Sequence, residues 1–267
     1  MKNNPTIEPP DGNNPHLQMD LLNVAGVGEN GDSPRDVAPR IRVSRRARRL
    51  SVRVYPDARV EVVVPPRARA SDVERFVAAH REWIDNKRAV ALRNRPAPEP
   101  FPPARLRLSL TGETWHLHLA GGTGSMRLTE ADPGAAGGIL RARGAGNLRA
   151  ALRAWLMRAA KVRLEPRVAA LAAAMGVRYA KVSIRRQRSR WGSCSARGTI
   201  SLNACLLFQR PEVVDYLIVH ELVHVKHMNH SARFWKAVEA HCPGWRALDR
   251  ELLHGWRNVP RWAFSDE

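Results

Sequence analysis

Between Val219 and Trp235 the chain reads VHELVHVKHMNHSARFW, with four histidines in eleven residues. The stretch leading into them is apolar on nearly every side: Val213, Val214, Tyr216, Leu217, Ile218, Val219, Leu222, Val223 and Val225. Pro211 suits the first turn of a helix, and Glu212 complements the dipole there. A helix apolar all round is a buried helix. Inside it, two imidazoles and a carboxylate are unfavourable unless something partners them. No other feature constrains the fold as much, because it puts His220-Glu221-Leu222-Val223-His224 in the interior around a polar ligand.

His220 and His224 are one turn apart and project from one face. Both can reach a single Zn²⁺ at about 2.0–2.1 Å. Glu221 is rotated off that face, suited to hold a metal-bound water and take its proton rather than to ligate. A third ligand is needed. His227 lies about 10 Å along the helix axis from His220, so three such positions on one straight helix cannot converge. His230 can, if the helix stops near Lys226 and the chain turns back. Asn229 suits the turn and Ser231 suits the cap of a following helix. The expected metal ligands are therefore His220, His224 and His230 around one Zn²⁺ per chain, with His227 at the surface and Glu221 catalytic.

Upstream, residues 41–66 read as two strands around the turn Tyr55-Pro56-Asp57-Ala58. Ser71-Asp72 offers a cap for one helix ending near Arg93. RPAPEPFPPA (95–104) is a stiff connector. Residues 105–119 alternate as a hairpin about Thr111-Gly112, and Gly-rich turns are expected around 121–124 and 133–138. A helix follows from Asn147 to about Met175, with Leu148, Leu152, Trp155, Leu156 and Val162 on its apolar side. Pro166 is expected to break or kink it, and Gly176 to close it. Short strands near 181–184 and 199–207 flank the loop RRQRSRWGSCSARG, and a last helix covers about 246–253. The fold class is α+β. The divisions are a disordered leader (1–40), a β-rich N-terminal module with one helix and the connector (41–145), a catalytic domain (146–258) and a tail (259–267).

Charge bears on partners. The first forty residues carry three basic and six acidic groups, so the remainder holds 41 basic against 19 acidic, a net of +22. Such a field attracts a nucleotide, nucleic acid or acidic surface. The arginine runs at 45–49 and 185–190 suit phosphate contact, but the first has no interleaved aromatics for stacking on bases. Cys194, Cys205 and Cys242 are odd in number and widely spaced, which argues for a reducing, cytoplasmic setting. No segment has the length and apolarity of a membrane span, so no membrane partner is expected.

Together, RWGSC (190–194), SLN (201–203), HELVH (220–224), NHSARFW (229–235) and CPGW (242–245) resemble the YgjP-like metallopeptidase family, itself similar to the SprT-like and WLM zincins. SRRARRLSVRV, the VVVPP run and HREWI (80–84) extend the resemblance upstream, to roughly 41–255. It implies a zincin-like C-terminal domain, a short sheet packed on the HExxH helix, with metal at His220, His224 and His230 and catalysis by Glu221. The implied activity is peptide-bond hydrolysis by a Glu-activated, metal-bound water, on a peptide or protein substrate. Two alternatives are a metal-dependent nucleotide (UTP) pyrophosphatase and a nucleic-acid-associated protease of the SprT-like kind. Because a strand beside such a helix can pair with an extended substrate, Arg190, Trp191, Ser193 and Asn203 are the candidate substrate contacts. Cys194 reads as a small packed thiol.

Overall fold

The computed structural model describes residues 39–264. Residues 1–38, nearly all of the expected leader, and the last three residues lie outside them. Among the described residues, ten strands and seven α-helices form a mixed α+β fold with three small sheets.

The first sheet comprises β1 (Arg40–Val43), β2 (Ser51–Val54) and β3 (Val60–Val64), ordered β1-β3-β2. Three strands stand where two were expected, because the arginine run at 45–49 is a loop separating β1 from β2. At the expected turn, Ala58 N–H donates to the Tyr55 carbonyl at 2.8 Å. The expected single helix is two, α1 (Ala70–Ala79) and α2 (Arg81–Arg93), joined at His80. Arg69 rather than Ser71 takes the capping position of α1; Asp72 sits in its first turn and pairs with Arg75. Val62, Val64 and Val73 form a core of their own.

The second sheet contains β4 (Arg105–Leu108), β5 (Glu113–Ser125), β6 (Arg127–Gly134) and β7 (Gly137–Ala145), ordered β4-β5-β7-β6. β5 runs through the glycines at 121–124, where a turn was expected, with a register shift between Ala120 and Ser125. Gly137 is obligatory: its φ is +115°, and a Cβ there would stand 2.0 Å from the Thr114 carbonyl oxygen. α3 (Leu148–Ala174) shares a hydrophobic core with this sheet. Asn147 caps it, its side-chain oxygen accepting from Ala150 N–H at 3.0 Å. Pro166 does not break the helix. The carbonyl its ring leaves unpaired belongs to Val162, which is 70% exposed, so water can satisfy it. The same exposure removes Val162 from the expected apolar face.

The third sheet is β8 (Lys181–Arg185), β9 (Gly192–Cys194) and β10 (Thr199–Asn203), ordered β8-β10-β9. A short 3-10 helix (Ala204–Phe208) leads to α4 (Pro211–Val223), followed by α5 (Ala232–His241), α6 (Trp245–Leu253) and α7 (Arg261–Phe264). One hydrophobic core joins the second sheet, α3, the third sheet and α4–α7. Leu106, Trp115 and Leu140 share it with Trp155, Leu202 and Leu217. Val259, Trp262, Ala263 and Phe264 are buried in the same core. Arg163 clamps the second sheet to α3 through Glu113, Nε to Oε1 at 3.0 Å. No helix among the described residues is long and apolar enough to cross a membrane.

Candidate metal centre

Every residue of α4 from Tyr216 to Val223 is buried, His220 and Glu221 included. The regular helix ends at Val223, and a turn closes with Lys226 N–H donating to the Val223 carbonyl at 3.1 Å. The chain then reverses into α5. Ser231 occupies the capping position of α5, though its hydroxyl makes no capping hydrogen bond.

This reversal brings His230 to the helix pair. His220 Nε2 lies 3.2 Å from His224 Nε2 and 3.1 Å from His230 Nε2. The nitrogens of all three lie within 4.8 Å of one another. Ligands about 2.0–2.1 Å from a tetrahedral ion are about 3.3 Å apart, so the trio has the spacing of a metal-binding donor set. His224 Nδ1 donates to the His227 carbonyl at 2.9 Å, which leaves its Nε2 as a bare lone pair aimed at the trio. His227 is partly exposed and contributes that carbonyl rather than its ring.

Burial lowers the pKa of all three histidines. For His220 the neighbouring His224 and His230 add to the effect. For His224 the hydrogen bond to His227 opposes it. His230 falls to about 4, from burial and then His224. All three are therefore neutral near pH 7, the form that ligates. Phe234, fully buried, packs against the three imidazoles at 4.5–4.9 Å between ring centroids. Trp235 stacks on Trp245 at 4.1 Å, and Tyr216 donates to Asp249 Oδ1 at 2.7 Å, tying α4, α5 and α6 together.

Glu221 is wholly enclosed. Burial raises its pKa to about 8, with Arg190 pulling the other way. Its Oε2 is buried without a hydrogen-bond partner among the described residues. Gly192 of β9 lies directly against the carboxylate: a Cβ there would stand 2.6 Å from Oε1. The glycine of RWGSC is thus a space requirement of Glu221. A glycine opening a strand signals such a close approach.

The four candidate substrate contacts separate. Ser193, in edge strand β9, is partly exposed, as is Arg190 just before it. Trp191 and Asn203 are interior residues. Trp191 Nε1 donates to the Leu252 carbonyl at 3.1 Å, and its ring stacks on Trp256. Asn203 Nδ2 donates to the carbonyls of Gln187 and Arg190, both at 2.8 Å, and its Oδ1 accepts from Cys205 N–H. Buried polar side chains are partnered in this way within the fold. Burial, then the charge of Glu221, pushes the Cys194 thiol up to about 12, so it stays protonated. A cavity of about 680 Å³, lined in part by Lys226, Met228, Asn229 and Arg233, opens beside the turn that carries His230.

Three neutral imidazoles at metal-ligand spacing, with a buried carboxylate on the same helix, define the outline of a metal-dependent hydrolase. The family model of the YgjP-like metallopeptidase domain matches residues 48–254, and the chain belongs to that family. Family membership makes it a metal-dependent peptidase acting on peptide substrate. Among solved structures, the metallopeptidase zymogen of Pyrococcus abyssi abylysin is 27% identical, with a TM-score of 0.30; the match covers 32% of this chain and 88% of that one. No curated protein matches.

Proposed function

We propose that the chain is a zinc-dependent peptidase of the zincin kind, with metal at His220, His224 and His230 and Glu221 as proton carrier. The observation that carries this reading is the convergence of the three Nε2 atoms, with Glu221 on the same helix keeping a buried carboxylate oxygen that has no hydrogen-bond partner among the described residues. An all-imidazole donor set favours zinc over magnesium, which takes oxygen ligands; this favours peptide hydrolysis over pyrophosphate release. A zinc ion held there supplies Lewis acidity and lowers the pKa of water.

The chain's own residues do the rest. Glu221 takes the proton of the attacking water and passes it to the leaving amine. A cation held by the imidazoles draws the carboxyl pKa down from its raised value, toward the charged form a base requires. The outer edge of β9, unpaired among the described residues, binds the substrate main chain as an added strand, with Ser193 and Arg190 beside it. Residues 146–258 carry this machinery, packed on the second sheet.

Elemental analysis with activity assays tests the proposal. Wild type should hold about one zinc, lost in His230→Ala and kept in His227→Ala. Glu221→Gln should keep the metal and lower peptide hydrolysis by about 10²–10⁴-fold. Pyrophosphate release from UTP that Glu221→Gln abolishes, with peptides left intact by wild type, would establish the nucleotide reading instead.

A further inference from the structure

We infer that Asn94, Trp256 and Trp191 form a positioning relay through which the N-terminal module holds Gly192 against Glu221. The inference rests on Glu221 being the proton carrier, as proposed above. It begins at the C-terminal cap of α2, where Asn94 is only 3% exposed. Asn94 Oδ1 accepts from His254 Nδ1 and from Arg257 Nη2, both at 2.9 Å, and its Nδ2 reaches the Leu253 carbonyl at 3.5 Å. A buried amide is tolerated only when so partnered, which registers α2 on residues 253–257.

The same segment holds Trp191. The indole donates to Leu252, and its ring stacks on Trp256 with centroids 4.3 Å apart. Gln209 Nε2 donates to the Gly255 carbonyl at 3.0 Å. A Cβ on Gly255 would stand 3.0 Å from the Trp191 ring, so the two are in contact with no slack. The Trp191 carbonyl accepts from Asn203 N–H at 2.8 Å, and the next residue is Gly192, against the carboxylate. A close-packed interior transmits displacement rather than absorbing it. A shift of 253–257 therefore reaches Glu221 through two residues of β9 and its approach. Asn94, Trp256 and Trp191 are positioning residues that act through Gly192.

The test measures kcat and KM on a peptide substrate, metal content and amide hydrogen exchange at 190–194. The variants are Asn94→Ala, Trp256→Ala, the conservative Asn94→Asp and Trp256→Phe, and Gly192→Ala alone and combined with Asn94→Ala. The alanine variants at 94 and 256 should lose about tenfold in kcat, with KM and metal content unchanged. Asn94→Asp keeps an acceptor for both donors, and Trp256→Phe keeps a stacking ring, so both should restore kcat. In the double variant Asn94→Ala should add less than its own factor, because the strand is already displaced. Unchanged kcat in the folded, metal-loaded fraction, or factors that simply multiply, overturns the relay. Hydrogen exchange separates this failure from that of the peptidase reading. Faster exchange at 190–194 in Asn94→Ala supports the relay even where wild type cleaves no peptide, and unchanged exchange overturns it.

Discussion

The first and third sheets are built to one plan. In each, the first and third strands run parallel, and the second pairs antiparallel on the far side of the third. Their surroundings differ. β1–β3 close a core of three buried valines with α1, and β1 is exposed along its whole length. β8–β10 lie in the main core, with Ile200 and Leu202 fully buried and β9 facing α4. Chemistry follows from what stands opposite the edge strand. β2 packs on α2, whereas β9 packs on the helix that carries the histidines and Glu221.

The strongest way to break the comparison is to empty each core. Leu202→Ala in β10 should destabilise the main fold by about 2–5 kcal/mol, measured by denaturant unfolding. Val62→Ala, at the matching strand of the first sheet, should melt the module early and leave the main transition in place. A single transition lowered equally by both variants would show that the two cores unfold as one unit.

Next is the opening residue of each antiparallel strand. Gly192→Ala in β9 pushes a methyl into the Glu221 carboxylate and should lower kcat by about 10²-fold with metal retained. Ser51→Ala in β2 is exposed and faces no such group, so kcat should not change. Equal kcat for the two would remove β9's claim on the carboxylate.

Acid sensitivity separates the regions more gently. Burial alone would raise the pKa of Glu113, but Arg163 outweighs it and holds it below the usual carboxylate range. Glu61 is likewise lowered against burial, by Arg42 and Tyr55. A depressed carboxylate stabilises the fold above the ordinary carboxylate range and loses that contribution as pH falls through its own pKa. Glu113→Gln should remove about 1.5 kcal/mol at neutral pH and flatten the acid limb of the stability curve. Glu61→Gln, whose Arg42 partner is 44% exposed, should remove less than about 1 kcal/mol.

The part of this plan legible in the sequence is the part dictated by local chemistry. Apolar residues all round α4, a turn residue at Asn229 and the axial distance to His227 together single out His230. Pairing between distant segments is another matter. β1 could not be read because Ile41 and Val43 alternate with arginines in a segment whose partner, β3, lies beyond β2. β9 is three residues long, and Gly192 belongs there only because Glu221 approaches from elsewhere in the fold. Trp191 and Asn203 look like cleft residues by position in the sequence; their real partners, Leu252, Gln187 and Arg190, come from packing. Pro166 misleads because its effect depends on whether the Val162 carbonyl meets water.

The smallest effect concerns β1 itself. Its outer edge has no partner among the described residues, and Ile41 and Val43 are 59% and 63% exposed. An unpaired apolar edge invites pairing with another chain, and interleaved charge discourages it. Arg40 and Arg42 supply that charge on the alternate positions. Because the two apolar side chains bury little, Ile41→Ser and Val43→Ser should each change stability by no more than about 0.5 kcal/mol. Arg40→Ser with Arg42→Ser should leave stability nearly as high but increase self-association, read by light scattering at raised concentration. The β9 edge of the third sheet is the one assigned to the substrate main chain, so changes at Ser193 should alter substrate KM without altering association. Association that rises with Ser193→Val and not with the arginine pair would reverse the roles assigned to the two edges.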